Sequence, residues 1–285
     1  MSRVWHISGA NTGLGLELAL KALSEGDRVI AAVRSPAKVP EELKREDVKI
    51  LQFDLSQGQA EMDEYAKKAF EAFGKIDVLV NNAGYAYLGA VEESEDSATK
   101  TQFDVNVFAM LRIIRAMLPH LRSQGSGLIM NLSSVGALGG FPSNGIYCAT
   151  KFAIEGFTQA MAAEIKPFGI STVIVEPGYF RTAFLKDPAA GSNLAPTIAA
   201  YEGTIAHEAR ANFEKYNGRQ PGDPKQAANR MWEYAADEGL FKGKEKLIRL
   251  PLGTDTGGVM KQLSEDLAKT VELYEDVWKS TDFKE

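Results

Sequence analysis

A glycine-rich turn near the start of the chain constrains the fold more than any other stretch. It reads Ser8-Gly-Ala-Asn-Thr-Gly-Leu-Gly15 and lies between a strand-like run at 4–8 and a helical pattern at 14–24. Small residues at such a turn let the backbone approach a pyrophosphate at a helix N-terminus. A second strand-like run at 28–33 completes a βαβ unit, so the turn predicts a dinucleotide-binding fold.

Strand-like and helical patterns alternate along the rest of the chain. Further strands are predicted at 48–53, 76–80, 127–132, 170–175 and 246–250, and further helices at 59–73, 97–121, 146–166 and 226–236. Strands that alternate with helices form a parallel sheet with helices on both faces. We therefore predict an α/β fold in one domain over 1–285: a Rossmann-type, doubly wound parallel sheet of about seven strands in the order 3-2-1-4-5-6-7.

The pattern changes after residue 182. The stretch at about 183–225 is rich in proline and glycine and contains a helical piece at about 197–216. An excursion of this length in a compact domain is typical of a binding loop, so we predict a substrate lid there. Residues from about 252 to 285 are predicted to form a C-terminal helical extension with a helix at about 259–280.

Charge and composition exclude several classes of partner. The net charge of −6 and the pI near 5.3 argue against binding to nucleic acid or to anionic membranes, which needs a basic face. No apolar run approaches the roughly 18 residues of a membrane span, and the N-terminus lacks the pattern of a secretory signal. The single cysteine, Cys148, excludes an internal disulfide. We therefore expect a cytoplasmic protein that acts on a small molecule.

Metal binding is not expected from the histidines or from the cysteine. None of the three histidines has a partner at metal-ligand spacing. His6 is predicted to pack in the core, whereas His207 lies in the predicted lid, where it is either solvated or within reach of a substrate. Cys148 is interpreted as a small buried side chain, with a reactive thiol as the alternative.

Tyr147 and Lys151 form the candidate acid–base pair. They are four residues apart and therefore lie on one face of the helix predicted at 146–166. A nearby ammonium favours the ionised form of a phenol, although such a pair on a helix surface is the alternative interpretation. Ser133 and Ser134 follow the strand at 127–132, where open α/β sheets place their chemistry, and either hydroxyl could hydrogen-bond the substrate oxygen.

The end of the second strand bears on the choice of dinucleotide. An NAD site usually has Asp or Glu there, whereas an Arg accommodates the 2′-phosphate of NADP. Val33 followed by Arg34 favours NADP(H), with a solvated loop charge as the alternative for Arg34, and Asn11 could add a neutral donor. Asp54 follows the third strand and is predicted either to cap the next helix or to accept a hydrogen bond from adenine.

Asn106 lies inside the helix predicted at 97–121, where asparagine has poor helix propensity. One explanation is an exposed side chain. The other is a local kink that frees a carbonyl toward the active site.

With this ordered set of motifs, the chain resembles the short-chain dehydrogenase/reductase family in its single-domain form. The similarity spans about residues 3–250. It rests on Ser8-Gly-x-x-x-Gly-x-Gly15, Asn81-Asn-Ala-Gly84, Asn106, Ser134, Tyr147-x-x-x-Lys151 and Pro177-Gly178 with Thr182. The family usually opens its glycine motif with Thr, and Ser8 keeps the hydroxyl.

The resemblance implies a role for each catalytic residue. Tyr147 would be the general acid in reduction or the base in oxidation, and Ser134 would orient the substrate carbonyl, with Ser133 as the alternative. Lys151 would lower the phenol pKa and bind the nicotinamide ribose, and Asn106 would hold a water that links Lys151 to solvent. The implied contacts to NADP(H) are Ser8, Gly9, Asn11, Gly13, Leu14, Gly15, Arg34, Asp54, Leu55, Asn82, Ala83, Gly84, Tyr147, Lys151, Pro177, Gly178 and Thr182.

The expected activity is the NADPH-dependent reduction of a ketone or an aldehyde. Aromatic residues in and near the predicted lid favour an apolar or aromatic substrate, unless they only pack the lid. The expected substrate contacts are Ser134, Phe141, Asn144, Tyr147, Tyr179 and Phe184. The alternatives are an NAD(P)-dependent secondary-alcohol dehydrogenase of hydroxysteroid type that runs oxidatively, and a catalytically silent dinucleotide sensor or scaffold. The resemblance also implies a homodimer or homotetramer.

Overall fold

Short apolar runs form the strands of this protein. Its structure is a computed structural model that describes residues 2–185 and 192–283. Residues 186–191 of the predicted lid and the last two residues of the predicted C-terminal extension lie outside the described residues. The strands are β1 Val4–Ser8, β2 Arg28–Val33, β3 Val48–Gln52, β4 Val78–Asn81, β5 Ala86–Leu88, β6 Gly127–Leu132, β7 Ile170–Pro177, β8 Ser192–Leu194 and β9 Arg249–Leu252.

Seven of these strands form one parallel sheet in the order β3-β2-β1-β4-β6-β7-β9. Counted along the chain within this sheet, the order is 3-2-1-4-5-6-7, so the predicted topology is confirmed. The strand order reverses between β1 and β4. In doubly wound sheets the ligand crevice lies outside the carboxyl ends of the strands at this switch point.

Helices cover both faces of the sheet. They are α1 Gly13–Ser24, α2 Gln59–Phe73, α3 Asp96–Phe103, α4 Ala109–Gln124, α5 Gly145–Ile165, α6 Ile205–Tyr216, α7 Pro224–Ala236, α8 Thr254–Leu273 and α9 Glu275–Lys279. One apolar cluster joins the sheet to α1 and α7, and the other joins it to α2, α4 and α5. Apolar burial on both faces explains why the strands read as nearly continuous apolar runs.

The predicted helix at 97–121 is in fact two helices joined by a π-helical turn at Asp104–Phe108. The helical piece predicted at about 197–216 is shorter, because α6 begins at Ile205 after a 3-10 turn at Ala199–Tyr201. The C-terminal helix begins earlier than predicted, at Thr254. Within the described ranges, none of the helices is both long and apolar enough to span a bilayer.

A second sheet of two strands was not predicted. β5 and β8 pair in parallel, with Ala86 opposite Ser192 and Leu88 opposite Leu194. Strands of three residues are too short to give a recognisable alternation. This sheet joins the segment after β4 to the described part of the predicted lid.

His6 packs in the core, as expected. Its side chain is fully buried, and its Nε2 lies 2.8 Å from the hydroxyl of Tyr65. Burial lowers the pKa of His6 to about 4, so the ring is neutral at physiological pH.

Candidate active site

The predicted site residues lie on the loops and helix ends at the carboxyl edge of the sheet. Catalytic candidates come from three elements: Ser134 follows β6, Tyr147 and Lys151 lie on α5, and Asn106 lies in the π turn. The predicted cofactor residues outside α5 lie at or just after the carboxyl ends of five strands. They are Ser8, Gly9, Asn11, Gly13, Leu14 and Gly15 for β1, Arg34 for β2, Asp54 and Leu55 for β3, Asn82, Ala83 and Gly84 for β4, and Pro177, Gly178 and Thr182 for β7.

Tyr147 and Ser134 lie side by side. Tyr147 is 9% exposed, and burial raises the pKa of its phenol, while the Ser134 hydroxyl opposes this increase. Ser134 begins a 3-10 turn, and its Oγ accepts a hydrogen bond from the N–H of Gly136 at 3.1 Å. Ser133 differs from Ser134, because its buried hydroxyl makes no hydrogen bond within the described part of the chain. The structure therefore pairs Ser134, rather than Ser133, with Tyr147.

Lys151 is also buried, so the alternative of a surface helix pair is wrong. Its Nζ donates to the carbonyl oxygen of Leu132 at 2.8 Å and lies 5.5 Å from the centre of the Tyr147 ring. Burial lowers the pKa of Lys151 to about 8, and the carboxylate of Glu155 opposes this decrease. The net direction for Tyr147 is opposite to the expected lowering of its pKa, because burial is the larger influence on the phenol.

Asn106 connects the loop after β4 to α5. Its Oδ1 accepts from the N–H of Tyr85 at 3.1 Å, and its Nδ2 donates to the carbonyl of Tyr85 at 2.8 Å and to Oγ1 of Thr150 at 3.1 Å. The side chain is 1% exposed, so the explanation of an exposed asparagine is wrong. The helix is locally distorted at this residue, as the other explanation required. Its role in holding a water stays a prediction.

The glycine turn leaves room for a pyrophosphate. Gly9 and Gly13 have φ values of +68° and +57°, in the left-handed region that favours glycine. A Cβ on Gly15 would lie 2.5 Å from the carbonyl oxygen of Gly9, so any larger residue would fill the turn. The first turn of α1 has no acidic residue, and the side chain of Thr12 does not cap it. Its N–H groups therefore suit an anion, and these residues fit a dinucleotide.

Ser8 and Asn82 hold the glycine turn in place. The hydroxyl of Ser8 accepts from the backbone N–H groups of Asn82 and Ala83, both at 3.0 Å. In return, Nδ2 of Asn82 donates to the carbonyl oxygen of Ser8 at 2.8 Å. These bonds join the ends of β1 and β4 across the switch point. The direct contact of Ser8 with a cofactor stays a prediction.

Arg34 and Asp54 lie at the carboxyl ends of the neighbouring strands β2 and β3. Asp54 accepts from the backbone N–H of Ser56 at 2.9 Å and from its hydroxyl at 2.8 Å. These two bonds, and more weakly the charge of Arg34, lower the pKa of Asp54. Gly58 is the N-cap of α2, so the prediction that Asp54 caps this helix is wrong. The side chain of Arg34 is exposed beside it.

Asp255 is a site residue that the sequence did not indicate. Its Oδ2 accepts from the N–H of Tyr179 at 2.6 Å, while the N–H of Gly178 donates to the carbonyl of Leu252 at 2.9 Å. A Cβ on Gly178 would collide with the Asp255 carboxylate, which explains the glycine. The sequence signal for Asp255 was its position as an acidic residue in the first turn of a helix, α8. The start of α8 thus fixes the loop after β7.

Thr182 lies against the glycine turn. Its side-chain carbons are 3.6 Å from the position that a Cβ on Gly13 would occupy. The loop after β7 and the loop after β1 therefore meet across the crevice, where a bound dinucleotide would contact both.

A buried acidic pair next to Lys151 was also missed. Glu155 lies one helical turn after Lys151, and Glu176 is the last residue before Pro177; both carboxylates pair with the guanidinium of Arg249. Burial beside the Glu155 carboxylate raises the pKa of Glu176, and Arg249 opposes this increase. The spacing of Lys151 and Glu155 on one helix face was the available signal.

An apolar wall adjoins Tyr147. We define it by Ala86 and Leu88 of β5 together with Phe184 and Phe213, which pack with the Tyr147 ring in one cluster. The ring centres of Tyr147 and Phe184 are 6.1 Å apart, and those of Tyr179 and Phe213 are 6.4 Å apart. Two of the predicted substrate residues therefore lie at this site: Phe184 packs near Tyr147, and Tyr179 packs near Phe213 of the wall. Two others precede α5, where Asn144 is the N-cap and Phe141 is half-buried in the loop before it.

Cys148 is buried, and burial raises the pKa of its thiol, which agrees with a small packed side chain. No group of three or more His, Cys, Asp or Glu side chains suited to a metal ion is found in residues 2–185 and 192–283.

Comparison with known proteins gives one consistent result. The family model described as short chain dehydrogenase matches residues 3–192. The protein named Oxidoreductase BOA17 of Botryotinia fuckeliana is 32% identical over 281 residues, which cover 97% of this chain and 98% of that protein. The uncharacterized oxidoreductase YusZ of Bacillus subtilis is 32% identical over 256 residues, 87% of this chain and 88% of that protein. A short-chain dehydrogenase structure from Streptomyces avermitilis has a TM-score of 0.88 at 30% identity and covers 99% of this chain and 100% of its own.

Proposed function

The chain belongs to the short-chain dehydrogenase family, and we propose that it is an NADPH-dependent reductase of a ketone or aldehyde carbonyl. The observation that carries this proposal is the burial of Tyr147 and Lys151 beside Ser134 at the end of β6. The proposed substrate is small and apolar or aromatic, because the apolar wall lies against the Tyr147 ring.

NADP(H) is the proposed cofactor. The turn after β1 fits the pyrophosphate, and Arg34 at the end of β2 is the proposed partner of the 2′-phosphate. Asp54, held by Ser56 beside Arg34, is the proposed contact to the adenine, and Thr182 to the carboxamide. When bound, this cofactor supplies the hydride.

Tyr147 is the proposed proton donor. Burial raises the pKa of its phenol, so the hydroxyl keeps its proton at neutral pH and can give it to the oxygen of a carbonyl as charge develops there. Oxidation of an alcohol would instead need the phenolate as a base. The same residue would serve both directions, so the choice of reduction rests on the proposed cofactor, NADPH.

Ser134 and Lys151 have supporting roles in this proposal. Ser134 donates a hydrogen bond to the same carbonyl oxygen and orients it toward Tyr147. The buried ammonium of Lys151 stabilises the phenolate that remains after proton transfer. Asn106 uses its whole amide on Tyr85 and Thr150, which leaves its main-chain carbonyl as the group that would hold a relay water.

A screen of NADPH oxidation over ketones, aldehydes, quinones and steroids tests the function. We expect turnover of apolar or aromatic carbonyl compounds, with NADPH preferred to NADH. Turnover of secondary alcohols with NAD alone would favour the oxidative dehydrogenase. Tight NADPH binding without turnover of any substrate would favour the silent sensor.

The acidic pair gives a prediction for the pH profile. Glu155→Gln should move the alkaline limb of the kcat profile to lower pH by roughly half a unit. Burial lowers the pKa of Lys151 to about 8 and Glu155 opposes this decrease, so without Glu155 the ammonium loses its proton at lower pH. Glu164→Gln, an exposed position on the same helix, is the matched control and should leave the limb in place. A limb that stays fixed or moves to higher pH in Glu155→Gln would contradict the role of Lys151.

We also propose a homodimer or homotetramer that forms through the helical segments that contain Asn106 and Tyr147. Phe108 and Phe152 are both 48% exposed there, which supports an interface. The cytoplasm stays the proposed compartment, because the one cysteine in the sequence leaves no internal disulfide to form.

A further inference from the structure

Glu93 is a buried carboxylate that the proposed reaction does not use. It ends the 3-10 turn Val91–Glu93, shortly after β5, and its side chain is fully buried. Its Oε2 accepts from the N–H of Ala90 at 2.8 Å, and its Oε1 accepts from the N–H of Ile198 and from Nε2 of His207, both at 3.0 Å. One oxygen therefore serves the local turn, and the other binds two groups of a distant segment.

Glu93 holds this segment as a charged group. Burial alone would raise its pKa, but the hydrogen bonds from Ile198, His207 and Ala90 outweigh burial and lower the pKa to about 2. A carboxylate only accepts hydrogen bonds, so Nε2 of His207 carries the proton. Hydrogen bonds to a buried charge are among the stronger ones in proteins.

Ser143 anchors the same segment from another side. Its hydroxyl donates to the carbonyl of Ala206, the neighbour of His207, and its own carbonyl accepts from the N–H of Gly89 at 2.9 Å. Ser143 has a φ of +58°, which is uncommon for a residue other than glycine and costs backbone energy. Two adjacent residues of α6 are thus fixed through separate bonds to Glu93 and Ser143.

Helix α6 transmits this anchoring to the apolar wall. Phe213 lies seven residues after Ala206, which places both on one face of the helix, about 10 Å apart along its axis. Phe213 packs in the cluster that contains Tyr147. A shift at the start of α6 would therefore move the Phe213 ring within the cluster that contains Tyr147.

We propose that Glu93 is a positioning residue for the substrate: its carboxylate anchors the lid segment, defined as residues 195–216, and so holds Phe213 beside Tyr147. The inference rests on the proposed function, because it assigns Phe213 to the substrate pocket. If Glu93 served only to cap its own 3-10 turn, the bond from the N–H of Ala90 would be enough, and the bonds from Ile198 and His207 would have no role.

Steady-state kinetics of carbonyl reduction test the proposal. Loss of a buried charged acceptor should raise the substrate KM of Glu93→Gln about tenfold and change kcat less than about threefold, with the Kd of NADPH unchanged. His207→Gln should raise KM in the same direction, and its effect should shrink in the double variant with Glu93→Gln because the two residues are coupled. Glu95→Gln is the matched control, since Glu95 lies two residues from Glu93, is exposed, and does not cap the helix that follows it with its side chain.

Hydrogen exchange tests the anchor without any substrate. Amides at 198–210 should exchange about tenfold faster in Glu93→Gln and in His207→Gln than in wild type or Glu95→Gln, whereas β1 and β4 should be unchanged. If the wild type reduces no carbonyl but both variants still exchange faster than wild type, the anchor is supported and the proposed function is refuted. Unchanged exchange and unchanged KM in both variants would overturn the proposal, as would a loss of kcat alone. If Glu93→Gln does not fold, the same measurements on His207→Gln decide between these outcomes. The side chain of His207 is partly exposed, so its substitution disturbs the fold less.

Discussion

Tyr147→Phe should lower kcat for carbonyl reduction about a thousandfold, because the variant keeps the buried ring and loses only the proton donor. The ring still packs with Phe184, so the apolar wall should remain intact. The Kd of NADPH should change little, since the hydroxyl is proposed to face the substrate. Single-turnover oxidation of NADPH, followed by absorbance, measures the chemical step directly.

The matched control for this substitution is Tyr234→Phe. Tyr234 lies on α7, away from the candidate site, and is also buried. Its hydroxyl donates to the carbonyl of Leu247 at 3.1 Å. Its loss should lower the free energy of unfolding by about 1 kcal/mol and leave kcat unchanged. Reductase turnover of Tyr147→Phe within about tenfold of wild type would remove Tyr147 as the acid.

Arg34→Ala should weaken NADPH binding about a hundredfold and leave NADH binding almost unchanged. The guanidinium is proposed to bind the 2′-phosphate, and charge-assisted hydrogen bonds to a phosphate contribute about 1.5 to 3 kcal/mol each. NADH lacks this phosphate, so it loses nothing when Arg34 is removed. Fluorescence titration of both cofactors gives the two Kd values.

Arg45→Ala is the matched control for Arg34→Ala. Arg45 is exposed and pairs with Asp47 at the start of β3, at the opposite end of that strand from Asp54. It should leave both Kd values unchanged. Equal weakening of NADPH and NADH in Arg34→Ala, or tighter binding of NADH by the wild type, would contradict the choice of NADP(H).

Most of the main sheet was predictable because its signal is local and repeated. Each strand of this sheet is a short apolar run, because helices cover both faces of the sheet. The βαβ crossovers are right-handed with few exceptions, which leaves few topologies for such a pattern. The glycine turn and the pair of Tyr147 and Lys151 were predictable for the same reason, since their residues lie within one turn or one helix face.

The missed residues depend on contacts between distant parts of the chain. Glu93 meets Ile198 and His207, which follow it by 105 and 114 residues, and the Glu155, Glu176 and Arg249 group joins a helix to two strands. Residue type alone predicts an exposed carboxylate at each of these positions. Only the folded chain shows that they are buried and paired.

Hydrogen-bond partners explain why one of the two alternatives is wrong for each of two polar residues. Asp54 bonds Ser56 two residues on, and this turn competes with capping of α2. Asn106 has poor helix propensity, but its bonds to Tyr85 and Thr150 bury its side chain and stabilise the distorted turn. Both outcomes turned on hydrogen-bond partners that propensity does not consider.

Transfer of deuterium from NADPH labelled at C4 of the nicotinamide ring is the most direct test of hydride transfer by this protein. With a carbonyl substrate found in the screen, we expect deuterium at the carbinol carbon of the product, from only one of the two faces of the ring. The label should appear in the product of wild type and be nearly absent from reactions with Tyr147→Phe over the same time. NADPH oxidation that leaves the product unlabelled at this carbon from either face, or labelled product at the wild-type rate with Tyr147→Phe, would contradict the proposed reduction.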